Sequence, residues 1–178
     1  MSNPSGDTLA LDEAGLDAAR NSLSDGAITP AYGPHRDAIV KLLNDALATE
    51  LVCILRYKRH YYTAKGVASP KIAEEFMTHA LEETAHSESI AERIVQLGGE
   101  PDFAPDTLTQ RSHAGYDESK ELQAMIRSNL VAERVAVESY RQMIALIGDK
   151  DHTTRRMLEQ ILAQEEEHAD ELSDWLEK

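Results

Sequence analysis

Two Glu-x-x-His pairs stand out in this chain, Glu83 with His86 in "LEETAHSESI" and Glu165 with His168 in "AQEEEHADEL". Positions three apart project from one face of a helix, so a carboxylate and an imidazole at that spacing can grip one metal ion. Two further glutamates, Glu50 in "LATELVCILRY" and Glu133 in "LVAERVAVESY", stand amid apolar residues. On a bundle helix that neighbourhood aims their carboxylates at the core. A buried carboxylate without a partner costs several kcal/mol or takes up a proton, so four glutamates aimed at one interior require cations. Four carboxylates with two imidazoles make an oxygen-rich, nitrogen-poor set, which suits iron or manganese better than the thiolate sites of structural zinc.

With 19 Glu and 7 His in 178 residues, composition alone supplies roughly 0.7 such pairs, so a single one reads equally well as a solvated helix face. The repetition changes the odds. "LATELVCILRY" aligns with "LVAERVAVESY", and in each a Glu is followed seven residues later by a Tyr, Tyr57 or Tyr140. Glu50 precedes Glu83 by 33 positions and Glu133 precedes Glu165 by 32. One device is therefore present twice, related by an approximate internal two-fold.

The elements that must position these residues are four long helices. Apolar residues at three-to-four spacing run from Asp37 until Gly66, giving the first. Ser69 as N-cap and Pro70 at the first helical position open the second, which stops at Gly98 and Gly99. Residues 98–117 hold two prolines and three glycines without an apolar period and form a long connection. A third helix is expected from Glu118 to Ile147, stopped by Gly148, and a fourth from Asp151 to the terminus. Short, long and short connections predict an all-α four-helix bundle whose crossover makes the second and third helices parallel. Residues 1–35, rich in Ser, Gly, Asp, Ala and Pro, are expected to be a flexible or loosely docked N-terminal extension, and residues 36–178 the bundle.

Lys plus Arg number 18 against 32 Asp plus Glu, a formal net charge of −14, which argues against nucleic acid and for cations as partners. One cysteine, Cys53, excludes an intrachain disulfide, a four-cysteine zinc site and a Cys-x-x-Cys redox pair. No apolar run approaches the roughly 20 residues that span a bilayer, and the N-terminus lacks a signal-peptide pattern, so no membrane association and a cytoplasmic location are expected.

From about Asp37 to Glu177 the chain resembles bacterioferritins and Dps-like ferritin relatives that carry a bacterioferritin-type centre. The residues behind this are Glu50 with Tyr57, "EETAH" ending in His86, "ERIVQLGGEP", "NLVAERVAVESYR" around Glu133, and "EEEHADEL" with Glu165 and His168. The resemblance implies a ferritin-like fold with a di-iron ferroxidase centre. Glu50 and His86 would be terminal ligands of one iron, Glu133 and His168 of the other, and Glu83 and Glu165 would bridge the two. It further implies oxidation of Fe(II) by peroxide or dioxygen and storage of ferric mineral in a homo-oligomeric cage. Tyr57 and Tyr140 would hydrogen-bond a ligand carboxylate or catch a stray electron; their other reading is as core aromatics with satisfied hydroxyls.

Three departures refine this. Haem-binding bacterioferritins carry Met after the first bridging Glu, where this chain has Thr84, so no haem is expected. Only ten residues follow His168, too few for the fifth helix of 24-subunit ferritins, which favours a 12-mer. The first 19 residues contain no Lys or Arg but Asp7, Asp12, Glu13 and Asp17, unlike a basic DNA-coating tail. Two other readings stay open: a non-storing di-metal enzyme on the same bundle, such as a manganese catalase-like, peroxidase or oxidase protein, and a structural or DNA-compacting protein. His79, one turn before Glu83, reads either as an iron relay or as an ordinary histidine at the surface or beside the site, and His60 is similar. His35, His113 and His152 read as exposed, and Cys53 as a small buried hydrophobe.

Overall fold

The computed structural model describes residues 10–66 and 68–176, which contain helices and no strand. Residues 1–9, with Asp7 of the acidic start, and residues 177 and 178 lie outside the described residues. A short helix α1 (Glu13–Arg20) is capped by Asp12, whose Oδ1 accepts the Ala14 N–H at 3.1 Å. Two 3-10 turns follow, and the Tyr32 hydroxyl donates to the buried Asp151 carboxylate, which also accepts Arg93 at 3.0 Å.

Helices α2 (Arg36–Thr63) and α3 (Ser69–Gln96) form one antiparallel hairpin, and α5 (Leu122–Ile147) and α6 (His152–Leu176) form the other. Ser69, expected as the N-cap of α3, is its first helical residue; its hydroxyl donates to the Gly66 carbonyl at 2.8 Å and closes the turn. At the far end the chain passes tightly against α2, since a Cβ on Gly99 would lie 2.7 Å from Val40 Cγ1. Gly148, at φ +50°, ends α5 in a conformation that suits glycine.

The crossover between the hairpins, with a single turn of helix α4 (Leu108–Arg111), climbs along α2. The Asp102 N–H donates to Asn44 Oδ1 at 2.7 Å, the His113 N–H to Thr49 at 2.9 Å, and Arg56 to the Gly115 carbonyl at 2.9 Å. Arg59 then holds the carbonyls of Glu118 and Ser119 at 3.0 Å each. These last two bonds explain why α5 begins at Leu122, four residues later than expected from Glu118: the backbone there is tied to α2. From Asn44 to Arg59 the path covers about 22 Å of helix. It brings α5 in antiparallel to α2 and parallel to α3, the expected crossover topology.

The core is divided. Ile39, Leu43, Leu47, Ile90, Ile94, Ile147, Leu158 and Ile161 fill one end. Cys53, Ile72, Phe76, Met125, Ile126 and Leu172 fill the other. Between them lies a buried belt of polar residues from all four long helices, bounded by Tyr140 on one side and Tyr57 on the other. Among the described residues no helix is long and apolar enough to cross a membrane.

Candidate metal centre

Glu50 on α2, Glu83 and His86 on α3, Glu133 on α5, and Glu165 and His168 on α6 are all at most 3% exposed and meet in this belt. They form two overlapping groups. Glu50, Glu83, His86 and Glu165 offer one ligand atom each within 4.8 Å of one another, and so do Glu83, Glu133, Glu165 and His168. Glu83 and Glu165 belong to both. His86 Nδ1 faces Glu165 Oε1 at 3.1 Å, Glu83 Oε2 at 3.2 Å and Glu50 Oε2 at 3.4 Å. His168 Nδ1 faces Glu83 Oε1 at 3.8 Å, with Glu133 Oε2 and Glu165 Oε2 at 3.9 Å.

The surroundings obey the same two-fold. Tyr57, on the helix of Glu50, donates its hydroxyl to Glu133, and Tyr140, on the helix of Glu133, donates to Glu50. Each tyrosine thus orients a glutamate of the opposite hairpin, Glu133 or Glu50. His86 Nε2 lies 2.9 Å from Gln164 Oε1, and His168 Nε2 lies 2.9 Å from Glu82 Oε2. Both partners are acceptors, so each Nε2 carries a hydrogen and each Nδ1 is turned towards the carboxylates.

These side chains suit a pair of cations. Glu50 Oε2, Glu83 Oε1, Glu133 Oε2, both oxygens of Glu165 and His168 Nδ1 are buried without a hydrogen-bond partner. Buried polar atoms seldom remain unpaired, and six of them facing one interior fit divalent ions.

Without ions, protons balance the charge. Burial, then the nearby Glu165 and Glu50 carboxylates, push the Glu83 carboxyl well above its ordinary value. Burial, then Glu50 and Glu133, do the same to Glu165. Burial opposes charge on Glu133 too, but the neighbouring His168 and Glu165 groups and the hydroxyl that Tyr57 donates prevail and hold it at about 2. Glu50 is lowered likewise against burial, by Glu83, His86 and Tyr140. Both imidazoles are raised despite burial, His86 by Glu165, Glu50 and Glu83, and His168 by Glu133 and Glu82. Within the cluster two carboxyls thus favour the proton, two favour the anion and both imidazoles favour the cation, a set that leans towards neutrality.

Several neighbours were not singled out by sequence reasoning. Glu82 and Gln164 each directly precede a shared glutamate, a register that aligning "LEETAH" with "AQEEEH" makes visible. Arg56, 1% exposed, packs over the Tyr57 ring at 5.8 Å and donates to Asn129 Oδ1 at 2.9 Å. No periodicity marks it. His79 and His60 are fully buried: His79 stacks on His168, and His60 pairs with Asp117 at 3.2 Å. His35, His113 and His152 are exposed, although His113 Nδ1 lies 3.2 Å from the Thr49 hydroxyl. Cys53 is buried and free, and the Thr84 hydroxyl donates to the Ala80 carbonyl at 2.7 Å.

A four-helix bundle with a long crossover and a central carboxylate–imidazole belt defines a ferritin-like protein. The chain belongs to the ferritin family, whose ferritin-like domain matches residues 40–178. It is 30% identical to the bacterioferritin of Mycobacterium avium over 140 residues, 78% of this chain and 84% of that one. It is 29% identical over 137 residues to a nutrient stress-induced DNA-binding protein of Synechococcus sp., covering 75% and 78%. Among solved structures, the bacterioferritin-related protein of Bacteroides fragilis, a dodecameric thioferritin, superposes with a TM-score of 0.77 at 26% identity, covering 93% of both chains.

Proposed function

We propose that this protein is an iron-storing ferroxidase, which binds Fe(II) as substrate at the central cluster, oxidises it with peroxide or dioxygen, and deposits ferric mineral in a homo-oligomeric shell. The observation that carries this reading is the set of six unpaired buried atoms arranged around two shared carboxylates. A pair of iron ions held there would supply two electrons to one oxidant together.

The residues have distinct tasks in this reading. Glu83 and Glu165 hold both ions, and Glu50 with His86 and Glu133 with His168 complete one position each. Tyr57 and Tyr140 fix the rotamers of the terminal carboxylates, and Gln164 and Glu82 fix the imidazoles with Nδ1 inward. Burial excludes bulk water, so the protons that Glu83, Glu165, His86 and His168 hold in the ion-free state leave as the ions arrive. A twelve-subunit assembly is supported by the dodecameric Bacteroides fragilis protein and corresponds to twelve times 19.7 kDa, about 236 kDa.

Anaerobic Fe(II) mixed with oxidant and followed by ferric absorbance tests the site. The unmodified protein should oxidise iron rapidly, and Glu50→Ala and His168→Ala should not; unchanged oxidation in both variants removes the site. Size-exclusion chromatography tests storage: elution as a monomer or dimer would turn the reading to a solitary di-metal enzyme on the same bundle.

A further inference from the structure

His79 lies outside the central cluster, yet its ring stacks on His168 with centroids 4.1 Å apart and it is fully buried. Its Nδ1 sits 3.1 Å from the Tyr57 hydroxyl oxygen. That hydroxyl has one proton and donates it to Glu133, so towards His79 it can only accept, and His79 Nδ1 must carry the hydrogen. Nε2, the ring's other nitrogen, is left for the outer carboxylates. That nitrogen faces Glu171 Oε2 at 3.0 Å and Glu75 Oε1 at 3.6 Å. One imidazole nitrogen and two carboxylate oxygens therefore converge. The two carboxylates also crowd each other: burial, then Glu171, raise the Glu75 carboxyl above its ordinary value. Among the described residues no Lys or Arg pairs with Glu75, Glu82 or Glu171; their ion-pair partners are His79 and His168.

We propose that Glu75, His79 and Glu171 form a further cation site, which takes one divalent first-row ion through His79 Nε2 and one oxygen from each carboxylate. The three ligand atoms lie within 4.8 Å of one another, and one imidazole with two carboxylates suits Fe(II), Co(II) or Zn(II). The carboxylates reach solvent, with Glu75 29% and Glu171 42% exposed, so the site opens outward and leaves positions for water. His79 also belongs to a second triplet with Glu82, 38% exposed, and His168, which links the outer site to the His168 half of the central cluster. A role as loading station for that cluster rests on the ferroxidase reading; the capacity to hold a cation does not.

Equilibrium dialysis of the whole, chelator-stripped protein against Co(II) tests the site. The unmodified protein should retain about three Co(II) per subunit and the Glu75→Gln/Glu171→Gln variant about two. Glu50→Ala/Glu133→Ala should lose the central pair and keep the outer ion. Two ions in both the unmodified protein and Glu75→Gln/Glu171→Gln would overturn the outer site, making His79 a merely ion-paired residue, and would leave the central pair standing. Fewer than two in the unmodified protein would count against the central pair instead. Crystals of the unmodified protein grown with Co(II) give a check free of variants: an anomalous peak beside His79 Nε2 supports the site, and its absence with the centre filled overturns it.

Discussion

Adding two divalent ions to the metal-free protein should displace about four protons per subunit near pH 7. The count follows from the direction in which burial and neighbours bias each group. In the absence of ions, His86 and His168 are raised above their ordinary values, and Glu83 and Glu165 well above theirs, which favours a proton on each. Like charges about 4 Å apart repel by about 4 kcal/mol at an effective dielectric of 20, so four ionised carboxylates cannot share this belt without cations. In the proposed arrangement each ion would take an Nδ1 from one imidazole and share two carboxylates, which would remove two imidazolium and two carboxyl protons. Titration calorimetry with Zn(II), in buffers of the same pH but different ionisation enthalpy, reads the number as a slope. The two-ion binding constant should also weaken by about 10⁴ for each pH unit of acidification while all four groups stay protonated. The Glu75→Gln/Glu171→Gln variant confines the measurement to the central pair. Release of two protons would show that only the imidazoles carry them and refute the charge-balance reasoning; release near zero would remove the centre altogether.

The same protonation makes the metal-free protein sensitive to alkali. Glu83 and Glu165 bind protons more tightly folded than unfolded, so their contribution is full below the ordinary carboxyl value of 4.5 and is lost as pH rises towards their raised folded values. Glu133 acts in the opposite sense, its contribution present above 4.5 and lost as pH falls through about 2. Melting temperature should therefore decline from pH 5 to pH 8 in chelator and stay level with Zn(II); a level profile in chelator would contradict this. Glu165→Gln places a neutral group where burial, Glu50 and Glu133 favour a neutral carboxyl, so the metal-free variant should melt no lower than the parent while retaining no ion pair on dialysis. Tyr57→Phe strips a donor from Glu133 and an acceptor from His79, which should cost about 1–3 kcal/mol, seen as a lower denaturant midpoint.

The four long helices were legible because their apolar positions recur at helical spacing and glycines stop them: Gly98 and Gly148 stand where α3 and α5 end. The start of α5 was not, because Glu118 to Glu121 are compatible with helix and only Arg59, on a distant helix, decides otherwise. Ser69 has the right residue type for a cap, yet the tight turn through Gly66 uses its hydroxyl first. The six clustered residues could be picked out because they recur at matched intervals; which atoms face one another is a property of four helices together and needs the structure. Arg56 and His79 carried no such signal. Both are buried polar residues whose partners, Asn129, Gly115 and Glu171, lie far off in the chain.

The division of the cluster between hairpins has a kinetic consequence. The α2–α3 hairpin contributes Glu50, Glu83 and His86, and the α5–α6 hairpin contributes Glu133, Glu165 and His168, so neither alone encloses either ion position. Divalent ions held there would act as a clasp between the two hairpins. They would slow the rate at which the seated pair comes apart more than they change the rate of reaching it.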